Sequence, residues 1–137
     1  MSYQLNFTAR HAYDTRASGI TLPLTIKSGS VEIGLEVKLD PGSTFCIFQR
    51  LVGERLGFDI ERGTPQRIGT TMGSFLAYGH EVTLITLGIE IVATVYFAAQ
   101  PDFPVNVVGR VGLLDRTRLG LVDYDGLLYL SDYHDLA

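Results

Sequence analysis

A chain of 137 residues, 46% hydrophobic and 19% charged, is long enough to bury a core without metal or disulfide and too apolar for a disordered tether. Its net charge of −4, with no basic stripe, argues against nucleic acid as a partner. A single cysteine, Cys46, excludes an intrachain disulfide, and no leader pattern or long apolar run points to export or a membrane span, so a cytoplasmic location is expected.

In chain order, residues 4–8 are expected to form a short edge strand, and residues 20–26 a second strand whose Pro23 places it at an edge. Ser28, Gly29 and Ser30 turn the chain. The stretch VEIGLEVKL, residues 31–39, alternates apolar and polar positions as a half-buried strand does. Asp40, Pro41 and Gly42 follow as a turn, and the β-branched and aromatic run 44–48 resumes as a strand. Residues 49–57 carry Leu51, Val52 and Leu56 at helical spacing and stop at a glycine, which predicts a short helix with Gly57 just past its end.

Residues 61–65 read as a loop. A strand beginning at 66–68, a glycine-flanked turn at 70–74 and a return arm at 75–79 make a hairpin. Segments 80–87 and 89–98 predict two further strands joined near Gly88, and Pro101 and Pro104 bracket a loop. The apolar run 105–108 ends at Gly109. Residues 110–119 predict a second short helix. Residues 121–124 and 127–130 predict a hairpin turning at Asp125-Gly126 through a type I′ turn, followed by a polar tail over 131–137. Strands separated by turns, with one or two short helices, predict a mostly β structure of closed-barrel or sandwich type in a single domain, 1–137.

Asp40-Pro41-Gly42 alone is what any β-turn selects. Its setting is more telling. An amphipathic strand runs into it, an apolar strand leaves it, a hairpin follows, and Val107-Val108-Gly109-Arg110 closes a later apolar segment. This order resembles the retropepsin-like aspartic proteases, above all their small bacterial members. In that family a strand delivers an Asp-Thr/Ser-Gly-Ala/Ser motif, a flap hairpin follows, and two hydrophobic residues and a glycine come later. The resemblance spans roughly residues 20–130.

It implies a closed acid-protease barrel and an aspartic endopeptidase assembled as a homodimer, because one chain supplies one such motif. Asp40, Gly42 and Ser43 would form the catalytic loop, Ser43 donating a hydrogen bond to the carboxylate. Thr71, Met72, Gly73, Phe75 and Tyr78 would line the flap against an extended peptide or protein substrate with apolar side chains flanking the scissile bond. Thr44, Val108, Gly109 and Arg110 would support the loop. Pro41 departs from the family pattern, lacking both the hydroxyl that bonds across the twofold axis and an N–H. The acidic partner expected for Arg110 is also absent, since Thr44 and Phe45 stand there. Two other readings stay open: a dimer of this fold that binds a peptide or partner without cleaving it, and a monomeric β-barrel with Asp40 in a surface turn. No metal or cofactor is expected. His11, His80 and His134 share no ligand spacing, no G-x-S-x-G occurs, and Gly69 and Gly73 lack the Lys-Ser/Thr of a phosphate loop.

Overall fold

The computed structural model describes residues 1–134. Ten strands, one α-helix and three single 3₁₀ turns follow one another along these residues. The strands are β1 (Ala9–Ala12), β2 (Ile20–Ser28), β3 (Val31–Leu39), β4 (Ile47–Phe48), β5 (Thr64–Thr70), β6 (Gly73–Thr86), β7 (Ile89–Ala98), β8 (Val107–Val108), β9 (Thr117–Val122) and β10 (Leu127–Asp132). The helix α1 spans Arg50–Arg55.

Seven strands form one sheet in the order β2-β3-β8-β4-β7-β6-β5, and a further pairing of β2 with β6 closes it into a ring. That is the closed, mostly β barrel expected. Alternation drives it. Along β7 the buried positions Ile89, Ile91, Ala93, Val95 and Phe97 alternate with more exposed ones, and Val82 and Leu84 of β6 face the same core. Pro23 pairs with Glu36 of β3, while the β2–β6 contact is confined to Thr25–Lys27, so the missing N–H falls where β2 has no second neighbour. A smaller sheet, β1-β10-β9, holds both ends of the chain together.

The predicted helix at 49–57 is present as α1 with the expected terminus. Gly57 takes φ +93°, its N–H donates to Glu54 O, and Phe58 N–H reaches Gly53 O, the paired bonds of a Schellman cap. Its Gly53 packs so closely on Ile60 and Phe97 that a Cβ would lie 2.5 Å from the Ile60 methyl.

Several expected elements differ. The N-terminal strand lies at 9–12 instead of 4–8. Its register comes from tertiary anchors that local propensity does not carry: Thr8 N–H donates to Ser131 Oγ, Phe7 packs on Tyr129, and Tyr13 N–H donates to Gly126 O. No helix spans 110–119. Gly112 takes φ +106° and breaks the helical path, Leu114–Arg116 forms one 3₁₀ turn, and Thr117 already begins β9. The arms 75–79 and 80–87 are one fourteen-residue strand, β6. The two-residue turn with positive φ at both positions is Leu87-Gly88. At the last hairpin a 3₁₀ turn, Asp123–Asp125, precedes Gly126 at φ +66°, so four residues connect β9 to β10. The segment expected as a polar tail begins inside β10, where Ser131 is buried; its last residues, 135–137, lie outside the described residues.

Candidate active site

The strands on either side of Asp40 are not neighbours. β8 returns late in the chain and inserts between them, parallel to β3 (Leu39 beside Val108) and antiparallel to β4 (Ile47 beside Val107). Residues 40–46 therefore bridge over β8. Asp40 N–H donates to Val108 O at 2.9 Å, Arg110 N–H to Ser43 O at 2.9 Å, and Val111 N–H to Thr44 O at 2.8 Å. Gly109 lies directly beneath the bridge: a Cβ there would stand 2.4 Å from Ser43 O and 2.6 Å from Phe45 O. Only glycine fits that approach.

Cys46 fills the space under the loop. Its sulfur accepts from Gly109 N–H at 3.4 Å and donates to Val111 O at 3.5 Å. Burial pushes the thiol up to about 11, against the opposing pull of the Gly109 N–H. It is a packed core thiol, as its apolar flanks predict.

The loop holds Asp40 outward. Asp40 Oδ1 accepts the Gly42 N–H at 2.9 Å, and Ser43 N–H donates to Asp40 O at 3.0 Å, closing a tight turn around an exposed carboxylate. The Ser43 hydroxyl donates to Phe45 O at 2.8 Å instead of to the carboxylate, so it stiffens the loop. A cleft of about 650 Å³ opens above. Asp40, Gly42 and Ser43 form its floor, and Gly69, Thr70 and Thr71 from the β5–β6 hairpin hang over it. Asp40 is the one ionisable side chain among the described residues lining this cleft.

Of the hairpin residues singled out in the sequence, Thr71 and Phe75 line the cleft. Met72 stands 95% exposed at the tip, and Gly73, at φ +135°, closes the two-residue turn, which the Thr70 hydroxyl braces by donating to Gly73 O. Tyr78 falls on the other face of β6 and packs against the main core. Among the supporting residues, Val108 is fully buried, Thr44 is exposed, and Arg110 is exposed with no ion pair among the described residues. Sequence reasoning missed four apolar liners, Ile47, Ile68, Phe103 and Val107. Phe103 was the legible one: a lone phenylalanine between two prolines in a polar loop is an odd residue to leave in solvent.

The fold that carries this loop and hairpin is similar to that of solved structures. The EIAV protease complexed with the inhibitor HBY-793 aligns at 24% identity with a TM-score of 0.54, over 68% of this chain and 83% of that one. A retropepsin-like aspartic protease from Rickettsia conorii aligns at 17% identity with a TM-score of 0.59, over 81% of this chain and 89% of that one. This fold is retropepsin-like. No family model matches the sequence, and no curated protein does. The retropepsin-like barrel thus rests on three-dimensional likeness, with the chain's own short motifs at Asp40 and Gly109 falling where the barrel crosses.

Proposed function

We propose that this chain is an aspartic endopeptidase that works as a homodimer. The observation that carries the reading is the Asp40 carboxylate, turned outward on a braced loop at the floor of a cleft that has no other ionisable side chain among the described residues. Such chemistry needs two carboxylates, one charged and one protonated. A second copy related by a twofold axis at the Asp40 loop supplies the other. Held about 3 Å apart, the two cannot both ionise and share one proton. The charged member draws a proton from a bridging water, which attacks the peptide carbonyl. The protonated member hydrogen-bonds the carbonyl oxygen and then protonates the leaving nitrogen.

The remaining residues take supporting parts. Gly42 lets the loop approach its symmetry mate without a side chain between them, and Ser43 and Thr44 hold the loop over Val108, Gly109 and Arg110. The β5–β6 hairpin serves as a flap, with Thr71, Met72 and Gly73 at its tip and Phe75 at its root. An extended peptide lies between flap and floor, paired through its backbone. Tyr78 supports the flap strand from the core side.

The test is cleavage of an unbiased peptide mixture between about pH 3 and 7, where a shared-proton pair operates. Wild type and Asp40→Asn are compared at a concentration at which sedimentation confirms a dimer. Cleavage by wild type alone supports the reading. Equal cleavage by both proteins sinks it.

Pro41 favours a second reading. It is exposed beside Asp40 and offers neither hydroxyl nor N–H to a partner. A dimer whose carboxylates sit about 1 Å out of place loses roughly a hundredfold in rate, leaving a binder of peptides or partner proteins. A confirmed dimer that binds peptides without cleaving them would select it.

A further inference from the structure

The β5–β6 hairpin leaves the barrel at a definite point. The pairing of β6 with β7 begins at Ala77 beside Ala98. Before it, residues 73–76 pair only with residues 67–70 of β5. This end of the hairpin is a two-stranded ribbon, which is marginal by itself, so what holds its root decides where it lies. Ile68 and Phe75 sit in a small apolar cluster with Ile47 and Phe103. That contact draws the ribbon down, but an apolar contact is non-directional and does not fix an angle.

One guanidinium reaches both arms at the root. Arg50, the first residue of α1, donates through Nη1 to Ala99 O at 3.1 Å. Ala99 follows the end of β7, and its own N–H donates at 2.9 Å to the carbonyl of Leu76, where β6 becomes ribbon. Through Nη2, Arg50 holds the Glu61 carboxylate, with Oε1 at 2.6 Å and Oε2 at 3.0 Å. Glu61 lies in the 3₁₀ turn Ile60–Arg62, which leads into β5. That turn is seated on β6, because His80 Nε2 donates to Ile60 O at 2.9 Å. The Arg50 side chain is only 22% exposed, and its hydrogen bond holds the Glu61 carboxyl below the ordinary value. The helix gives no reason for arginine at this position. A cation in the first turn opposes the helix dipole, and that turn holds no acidic residue to offset it. The planar fork of arginine can serve two acceptors on different elements at once, which the point charge of lysine does less well.

Accepting the reading of the hairpin as the cover of the cleft in an endopeptidase, we infer that Arg50 is its positioning residue: through Glu61 and Ala99 it sets, from outside the cleft, how the flap lies over Asp40. Loss of Glu61 frees one arm. Loss of the guanidinium frees both.

The experiment reads hydrogen–deuterium exchange by mass spectrometry in peptides covering residues 64–79, with peptides over residues 20–39 as the internal reference. Glu61→Gln keeps the size of the side chain and removes its charge, and exchange in the hairpin should rise roughly two- to fivefold. Arg50→Ala removes both ties and should raise it about tenfold. The reference peptides should not change. Arg62→Gln is the control. It breaks the Arg62–Asp59 pair, whose side chains are 86% and 68% exposed and lie within a single turn, so neither region should respond. A hairpin that exchanges alike in wild type and Arg50→Ala overturns the inference. So does equal acceleration in the reference peptides, which would mark a role in global stability only. In peptide cleavage, Glu61→Gln should raise KM several-fold at constant kcat, because a displaced cover weakens substrate and transition state alike. A KM that stays fixed while hairpin exchange rises also overturns the inference. A wild-type dimer that cleaves nothing overturns the endopeptidase reading, and the exchange comparison decides the role of Arg50 independently of it.

Discussion

Gly109→Ala tests the crossing on which the candidate site is built. The added methyl would stand 2.4 Å from Ser43 O, 2.6 Å from Phe45 O and 3.0 Å from Ser43 C. All three are backbone atoms, so no side chain can rotate away. The loop must lift by roughly 1 Å to restore ordinary contact distances of about 3.5 Å. That lift acts on the bonds from Arg110 N–H to Ser43 O and from Val111 N–H to Thr44 O, the two struts that hold the bridge down. Overpacking of this kind costs about 1–3 kcal/mol, and weakening two backbone bonds adds about 1 kcal/mol. A total of about 3 kcal/mol, at a urea slope of about 2 kcal/mol/M, moves the unfolding midpoint down by about 1.5 M. Urea titration followed by far-UV circular dichroism reads the shift. Gly34→Ala is the control, because a Cβ there meets nothing within 4 Å. Its expected change lies within about 0.5 kcal/mol. Equal midpoints for the two variants would refute the claim that Gly109 is required by the approach of the loop.

Other expectations follow from single contacts. Gly57→Ala, at φ +93° in the Schellman cap of α1, should cost about 1 kcal/mol in the same titration. Cys46, buried and raised to about 11, should resist iodoacetamide in the native protein at pH 8 and react fully in urea, as mass spectrometry would read. Tyr13 donates to Asp123 Oδ1 at 2.6 Å, and that bond with the nearby carboxylate raises its phenol from 10.0 to about 12. A folded-state value above the unfolded one means that the stabilisation is complete below pH 10 and is lost as pH rises towards 12. Tyr13→Phe should flatten that alkaline limb of the stability profile, and an unchanged limb would put its origin elsewhere.

How much of this was legible in the sequence depended on how local the cause was. VEIGLEVKL carries its own period, and β3 runs over those nine residues. The end of α1 was legible because Gly57 is the residue a left-handed cap demands. The late segment misled for the opposite reason. Val111, Leu114 and Leu119 fit a helical face, and what breaks that path is the glycine at 112. It adopts φ +106°, which only the packed structure reveals, and its N–H is taken by Asp115 Oδ1 at 3.0 Å in a turn. The N-terminal strand was misplaced because Ala9–Ala12 has little strand character of its own. It pairs with β10 because neighbours on both sides fix it there.

The site divides along the same line. Asp40 and Gly109 could be associated from sequence because each ends an apolar strand and the pair encloses a hairpin. What sequence could not supply is that β8 enters between β3 and β4, which turns two separated glycine-bearing turns into one braced crossing. The apolar liners were missed because they have no motif: Ile47, Ile68 and Val107 are ordinary strand residues whose exposure to the cleft depends on the register of three different pairings. Pro41 was visible from the start as a departure, and its meaning changes with the structure. The bonds that stiffen the loop run through Ser43, Thr44 and the backbone N–H groups of Gly42, Arg110 and Val111, none of which needs a side-chain hydroxyl at position 41. Within one chain the loop is therefore complete with proline. On the homodimer proposal the hydroxyl missing at position 41 matters between copies, so Pro41→Thr should cost the monomer no more than the roughly 1 kcal/mol of lost backbone restriction and change the dimerisation constant. A midpoint lowered by well over about 1 kcal/mol while dimerisation stayed constant would place the effect of Pro41 inside the chain.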